Sequence, residues 1–150
     1  MKRIGCDPGI SGALALLDDN LALIEVVDMP TMAMGKTKRQ VNAAELAKIL
    51  SQWKGATAYV EKVSAYPEQG VTAMFNFGMS YGVILGVLGA LQIPVILVSP
   101  QSWKKKAGII GSVKDVSRTK AQQLYPEADL ARKKDCGRAD SILIARFGGD

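Results

Sequence analysis

The chain has 150 residues, 48% of them hydrophobic and 22% charged, with a formal charge of +5 from 19 Lys+Arg against 14 Asp+Glu. It has no histidine and two cysteines, Cys6 and Cys136, which excludes imidazole general bases, Ser-His-Asp triads, Zn-His sites and a disulfide framework. Any chemistry must use carboxylates, lysines, hydroxyls or a bound metal, and a reduced intracellular setting is expected.

The composition fits one globular domain, residues 1–150, with a real core. Three short apolar pieces open the chain, at 2–6, 12–17 and 21–28, and Asp18-Asp19-Asn20 supplies turn chemistry between the last two, so three consecutive antiparallel strands are expected. Residues 30–39 are polar, Met-rich and Gly-containing, with Lys36, Lys38 and Arg39, and read as a loop. Asn42 followed by Glu45 resembles a capping box ahead of an amphipathic helix that Gly55 ends. Residues 56–60 form a strand finishing on Glu61, residues 62–70 a loop, and residues 71–91 a long helix with Gly78, Gly82, Gly86 and Gly89 at helical spacing. Each such glycine costs about 1 kcal/mol against alanine, so a close partner is implied, either the sheet or a second subunit.

No charge occurs between Glu68 and Lys104, a stretch long enough to span a bilayer. Asn76, Ser80, Gln92 and Pro94 interrupt it, and no membrane association is expected. No signal peptide precedes the first strand, because Lys2 and Arg3 lead into only three residues before Asp7. A strand at 94–98, a helix starting at Pro100, a helix at 112–125 stopped by Pro126, and a last helix from about Gly137 complete a mixed α/β sheet.

Three acids end or interrupt apolar runs: Asp7 after Ile4-Gly5-Cys6, Glu61 after Tyr59-Val60, and Asp140 within GRADSILIA. Buried carboxylates need compensation, and a divalent cation such as Mg²⁺ or Mn²⁺ supplies it, since hard oxygen ligands suit these ions. Two such ions about 4 Å apart can drive phosphodiester cleavage. Taken singly, Asp7 reads equally as a turn cap, Glu61 as a surface charge and Asp140 as a first-turn helix acid.

IGCDPGISGALALL, AYVEKVSAYPEQG, SPQSWKKK and KKDCGRADSILIARFG occur in this order and together cover the length of the chain. They resemble the RuvC family of Holliday-junction resolvases, within the RNase H-like superfamily, and its short phage and plastid members in particular. The resemblance implies an RNase H-like five-stranded sheet (three antiparallel then two parallel strands) flanked by helices. It further implies a homodimer that nicks opposing strands of four-way or branched DNA, with two Mg²⁺ or Mn²⁺ ions per site, no small-molecule cofactor, and a cytoplasmic or nucleoid-associated location. Asp7, Glu61 and Asp140 match the family's acids. Bacterial relatives carry an acid or histidine three residues before the last acid, where this chain has Gly137, and Asp135 is the substitute expected as fourth ligand.

By the same resemblance Lys104, Lys105, Lys106, Lys114, Arg118, Lys120, Lys133, Lys134 and Arg138, together with Arg132, are expected to meet phosphates. Ser11, between Gly9 and Gly12, keeps the backbone small where a phosphodiester approaches. Tyr66, Gln69, Phe75 and Phe77 fall in the family's junction-probing region, where an aromatic can wedge into unstacked bases, while core packing competes for Phe75 and Phe77. Other classes to separate are an actin-like or sugar-kinase-type ATPase, a non-catalytic junction-binding protein, and a less selective RNase H-like enzyme acting on RNA.

Overall fold

The structure is a computed structural model that describes residues 1–111 and 115–149. In chain order it contains β1 (Arg3–Asp7), β2 (Ala13–Leu17), β3 (Leu23–Asp28), β4 (Thr31–Met34), β5 (Lys38–Val41), α1 (Ala43–Ser51), β6 (Thr57–Glu61), α2 (Val71–Ala90), β7 (Val95–Val98), α3 (Pro100–Ala107), α4 (Val116–Leu124) and α5 (Cys136–Phe147). One five-stranded sheet runs in the order β3-β2-β1-β6-β7. β1, β2 and β3 pair antiparallel, whereas β1, β6 and β7 pair parallel, as the sequence predicts.

Period-two alternation sorts the strand residues between two cores. Ile4, Cys6, Leu14, Leu16, Ala58 and Val60 face one layer, with α1 and α2 residues Leu46, Leu50, Ile84 and Leu88. Ala15, Leu17 and Tyr59 face the other, against Trp103 of α3, Ala121 of α4 and the apolar face of α5. Gly5 lets α5 lie directly on β1: a Cβ there would strike the Ser141 carbonyl and come within 2.5 Å of the Ala145 nitrogen.

Local expectations are met at several boundaries. The Asp18 carboxylate accepts from the Asn20 and Ala22 amides at 2.8 and 2.9 Å, closing the turn ahead of β3. Asn42 caps α1 by accepting from the Glu45 amide at 3.1 Å, and Ser99 caps α3 with Pro100 at its first position.

Two expectations change. Residues 30–39 are not a loop: β4 and β5 form a separate antiparallel hairpin about Gly35, whose φ is +72°. The Arg39 guanidinium straps it by donating to the Thr31 hydroxyl at 2.8 Å and the Thr31 carbonyl at 3.1 Å. Its cationic, exposed side chains hide the strand signal, which comes from pairing and not from burial. Gly55 does not cap α1, which ends at Gln52; Gly55 takes φ +92° in the turn beyond.

α2 is long and apolar enough to cross a membrane. It anchors to the sheet through Ser80, Ile84 and Leu88. Its opposite side is open, and a Cβ added at Gly78, Gly82, Gly86 or Gly89 would meet nothing within 4 Å. The sheet is therefore not the close partner of these glycines.

Candidate active site

The odd residues of β1 and β6 point toward α5, so both strands end with their acids on that side. The parallel register sets Cys6 beside Val60, and the next residues, Asp7 and Glu61, leave the sheet side by side at its carboxyl edge. α5 crosses this edge and brings Asp140 to it.

The acids act on one another. Burial, then the charges of Asp140 and Glu61, push the Asp7 carboxyl up to about 8, against an opposing pull from Lys104. Burial also raises Asp140, to about 6, with Glu61 adding to the rise and a Ser117 hydrogen bond and Lys104 countering it. Burial and the same two strand-end acids push the Cys6 thiol up and keep it protonated.

Neutral donors set the direction of two carboxylates. The Trp103 indole N–H donates to Glu61 Oε2 at 2.8 Å from a fully buried ring. Ser117 bonds Asp140. Among the described residues no three acid, cysteine or histidine side chains close into a ready-made metal cage. The donor set still suits a hard divalent ion: it is all oxygen, anionic and mutually repelling.

Asp135, the expected fourth ligand, lines a pocket with Ser11 and Gly12 of the loop after β1 and is engaged there by arginine. Its side chain is 2% exposed and pairs with the Arg132 guanidinium at 2.8 Å, while accepting from the Arg132 amide at 2.9 Å. Arg132 holds its carboxyl down at about 2. Gly137 offers no replacement, since a Cβ there would lie 2.5 Å from the Ser11 carbonyl. That contact locks α5 onto the loop after β1. Gly12 is equally constrained, because its Cβ would strike the Asp7 carbonyl.

The cations also divide. Lys104 is half-buried and near enough to lower both Asp7 and Asp140. Lys105, Lys133 and Lys134 are exposed and Lys120 is half-buried, whereas Lys106 donates to the Gly149 carbonyl at 3.2 Å. Arg118 and Arg138, expected at phosphates, are structural ties. Arg118 pairs with Asp115 and donates to the Leu130 and Ala131 carbonyls. Arg138 grips Asp28 through two bonds of 2.8 and 3.0 Å and tethers β3 to α5. Lys114 lies outside the described residues. Tyr66 and Phe75 are exposed at 55% and 65%, and Gln69 sits with Tyr66 in the loop before α2, its backbone N–H donating to the Tyr66 carbonyl.

Sequence reasoning placed Trp103 only as a helix residue and missed its bond to Glu61. Its position at the start of a helix that follows the strand next to β6 was the available signal.

The layout defines an RNase H-like α/β fold, a mixed sheet with acids at its carboxyl edge and on the last helix. Solved RuvC structures share this fold. Thermus thermophilus RuvC in complex with a Holliday junction substrate superposes with a TM-score of 0.67 at 19% identity, covering 97% of this chain and 90% of that one. A second Thermus thermophilus RuvC structure gives 0.59 at 18%, covering 99% and 97%. No protein-family model and no curated protein sequence matches the chain.

Proposed function

We propose that the protein is a structure-selective endonuclease that resolves four-way DNA junctions. The observation that carries this reading is the convergence of Asp7, Glu61 and Asp140 beside Lys104 on a RuvC-like fold. Asp7, Glu61 and Asp140 would hold Mg²⁺ or Mn²⁺. The ion, when bound, supplies an acidified water and neutralises charge developing on a phosphodiester.

The chain's own groups do the positioning. Trp103 and Ser117 fix the Glu61 and Asp140 carboxylates. Lys104 neutralises part of the acidic charge and draws in a phosphate. Gly9, Ser11 and Gly12 leave the backbone beside Asp7 low enough for a DNA strand to approach.

Paired nicks on opposing strands require two sites, and α2 offers the means of pairing. Val71, Phe75 and Met79, exposed at 87%, 65% and 40%, continue into Gly78, Gly82, Gly86 and Gly89 along one solvent-facing stripe. A second copy packed on this stripe covers the apolar surface and offsets the helix cost of the glycines.

The test is a labelled four-way junction with Mg²⁺, beside duplex DNA, an RNA/DNA hybrid and ATP, with Asp140→Asn as control. Symmetric nicks in the junction, lost in the variant, support the reading. ATP hydrolysis dependent on Asp7 with the junction intact overturns it.

A further inference from the structure

An open pocket of about 440 Å³ lies between the loop after β1, the end of β3 and the turn into α5. Ser11 and Thr31 line it with Arg132 and the exposed Lys134, and Asp135 lies within it. The pocket adjoins the acids on two sides. Gly12, in its wall, has no room for a Cβ against the Asp7 carbonyl. Asp135 is the N-cap of α5, five residues before Asp140, a rise of about 7.5 Å along the helix axis.

One guanidinium occupies this carboxylate. Arg132 Nη2 donates to Asp135 Oδ1 at 2.8 Å, and the Arg132 Nε and backbone N–H donate to Oδ2 at 3.2 and 2.9 Å. Both oxygens are engaged, so a cation at Asp135 must compete with the guanidinium for them. The two partners differ in freedom: the Arg132 side chain is 49% exposed and that of Asp135 is 2% exposed. Arg138 is no substitute for Arg132, because it stands 3.7 Å from Asp135 and is held by two shorter bonds to Asp28.

We propose that Arg132 is a latch on Asp135 that a DNA phosphate releases. This rests on the nuclease reading above, with Asp135 as the fourth ligand expected from the sequence, and adds how that ligand is held and freed. A guanidinium forks onto a phosphate as it does onto a carboxylate. Lys134, Ser11 and Thr31 surround the place where a phosphate would meet Arg132. Asp135 is too buried to lose its counter-charge without a replacement, so Arg132 leaves for a phosphate as a cation arrives at Asp135. Each event favours the other by the same factor, as linkage requires. The set of ion ligands is thereby completed on DNA and not in free solution.

The experiment measures Mn²⁺ binding to the full chain without DNA, by electron paramagnetic resonance of the free ion. Arg132→Gln is expected to bind Mn²⁺ about tenfold more tightly than the wild type. Lys134→Gln, which removes a charge from the same pocket, should stay near the wild type, and adding Asp135→Asn to Arg132→Gln should abolish the gain. In a second arm, Mn²⁺ should raise wild-type affinity for a four-way junction with phosphorothioates at the cut positions more than it raises that of Arg132→Gln. The Arg132 backbone bond to Asp135 does not depend on the side chain. If Arg132→Gln is nevertheless poorly folded, Arg132→Lys, which keeps the charge without the fork, should show a smaller gain of the same kind. No gain in a folded Arg132 variant, an equal gain in Lys134→Gln, or a gain that survives Asp135→Asn overturns the latch, and wild-type cutting of the junction then leaves the nuclease reading standing. A wild type that neither takes up Mn²⁺ nor cuts overturns both.

Discussion

Trp103 directs its indole N–H at Glu61 Oε2 over 2.8 Å from a ring with no exposed surface. A buried donor without freedom to turn holds the carboxylate in one orientation, so Glu61 reaches the sheet edge already aimed. Hydrogen bonds to charged groups contribute about 1.5–3 kcal/mol. Trp103→Phe, which keeps an aromatic ring in the core, is expected to lower stability by an amount in that range. On the nuclease reading it also cuts activity or metal affinity about 10- to 100-fold, the usual effect of removing a group that orients a ligand. Thermal unfolding beside a Mg²⁺ titration of junction cutting measures both. Unchanged half-saturation would limit Trp103 to packing.

Asp7 is the most strained ionisable group at the site, raised to about 8 by burial and by Asp140 and Glu61. A carboxyl that is raised in the fold above its ordinary value near 4 prefers its proton, so ionising it costs stability as pH climbs from about 4 to about 8. Asp7→Asn removes that cost. The variant is expected to unfold several degrees higher than the wild type at pH 8 without divalent ions, at about 3 °C per kcal/mol for a chain of this length, and to match it at pH 4. It should also fail to cut. A melting temperature lower than the wild type at pH 8 would contradict the mutual repulsion of the three acids.

Asp135 carries the opposite sign. Arg132 holds its carboxyl down at about 2, so its contribution to stability is complete above pH 4 and fades as pH falls from about 4 toward 2. Asp135→Ala removes this ion pair and the bond to the Arg132 amide, and is expected to cost about 1–2 kcal/mol at pH 7. The difference from the wild type should close by pH 2 in urea unfolding. Junction cutting by the folded variant tells whether Asp135 also serves the ion site: persistence limits it to the Arg132 pair, and complete loss makes it the fourth ligand.

The acids were legible because Asp7 and Glu61 end apolar runs and Asp140 interrupts one, a local signal that strand parity and the reach of α5 turn into convergence. The hairpin of β4 and β5 was not, since Lys36, Lys38 and Arg39 make its exposed side chains look like loop and its stability lies in pairing across Gly35. The division of cations was equally hidden. Arg138 reads as one more basic residue until the fold brings Asp28, 110 positions earlier, within 2.8 Å. The glycine spacing on α2 announced a close neighbour, but only the fold tells that the glycines face away from the sheet.

That outward face separates fold stability from assembly. With nothing within 4 Å of a Cβ at Gly82, Gly82→Ala is expected to stabilise the isolated chain by about 1 kcal/mol through helix propensity alone. Gly82→Glu leaves the fold intact but places a charge where a second α2 would pack. Light scattering should find the wild type dimeric and Gly82→Glu monomeric, with unchanged circular dichroism. A dimer that survives the glutamate would move the interface elsewhere.

The lysines of α3 differ in what they touch, and salt dependence should resolve them. Lys105 is exposed and on the nuclease reading would meet a phosphate. Lys105→Ala should weaken binding to junctions of any sequence, and reduce the slope of log affinity against log salt by about 0.9 if one phosphate contact is lost. Lys104 is half-buried against its own Trp103 ring, 5.6 Å from the centroid, and acts on Asp7 and Asp140. Lys104→Ala removes a cation from among three acids, so its effect should fall more heavily on cutting rate than on affinity. Parallel binding and single-turnover measurements distinguish the two residues. Equal losses in affinity and rate for both would mean that Lys104 serves the DNA surface and not the acid cluster.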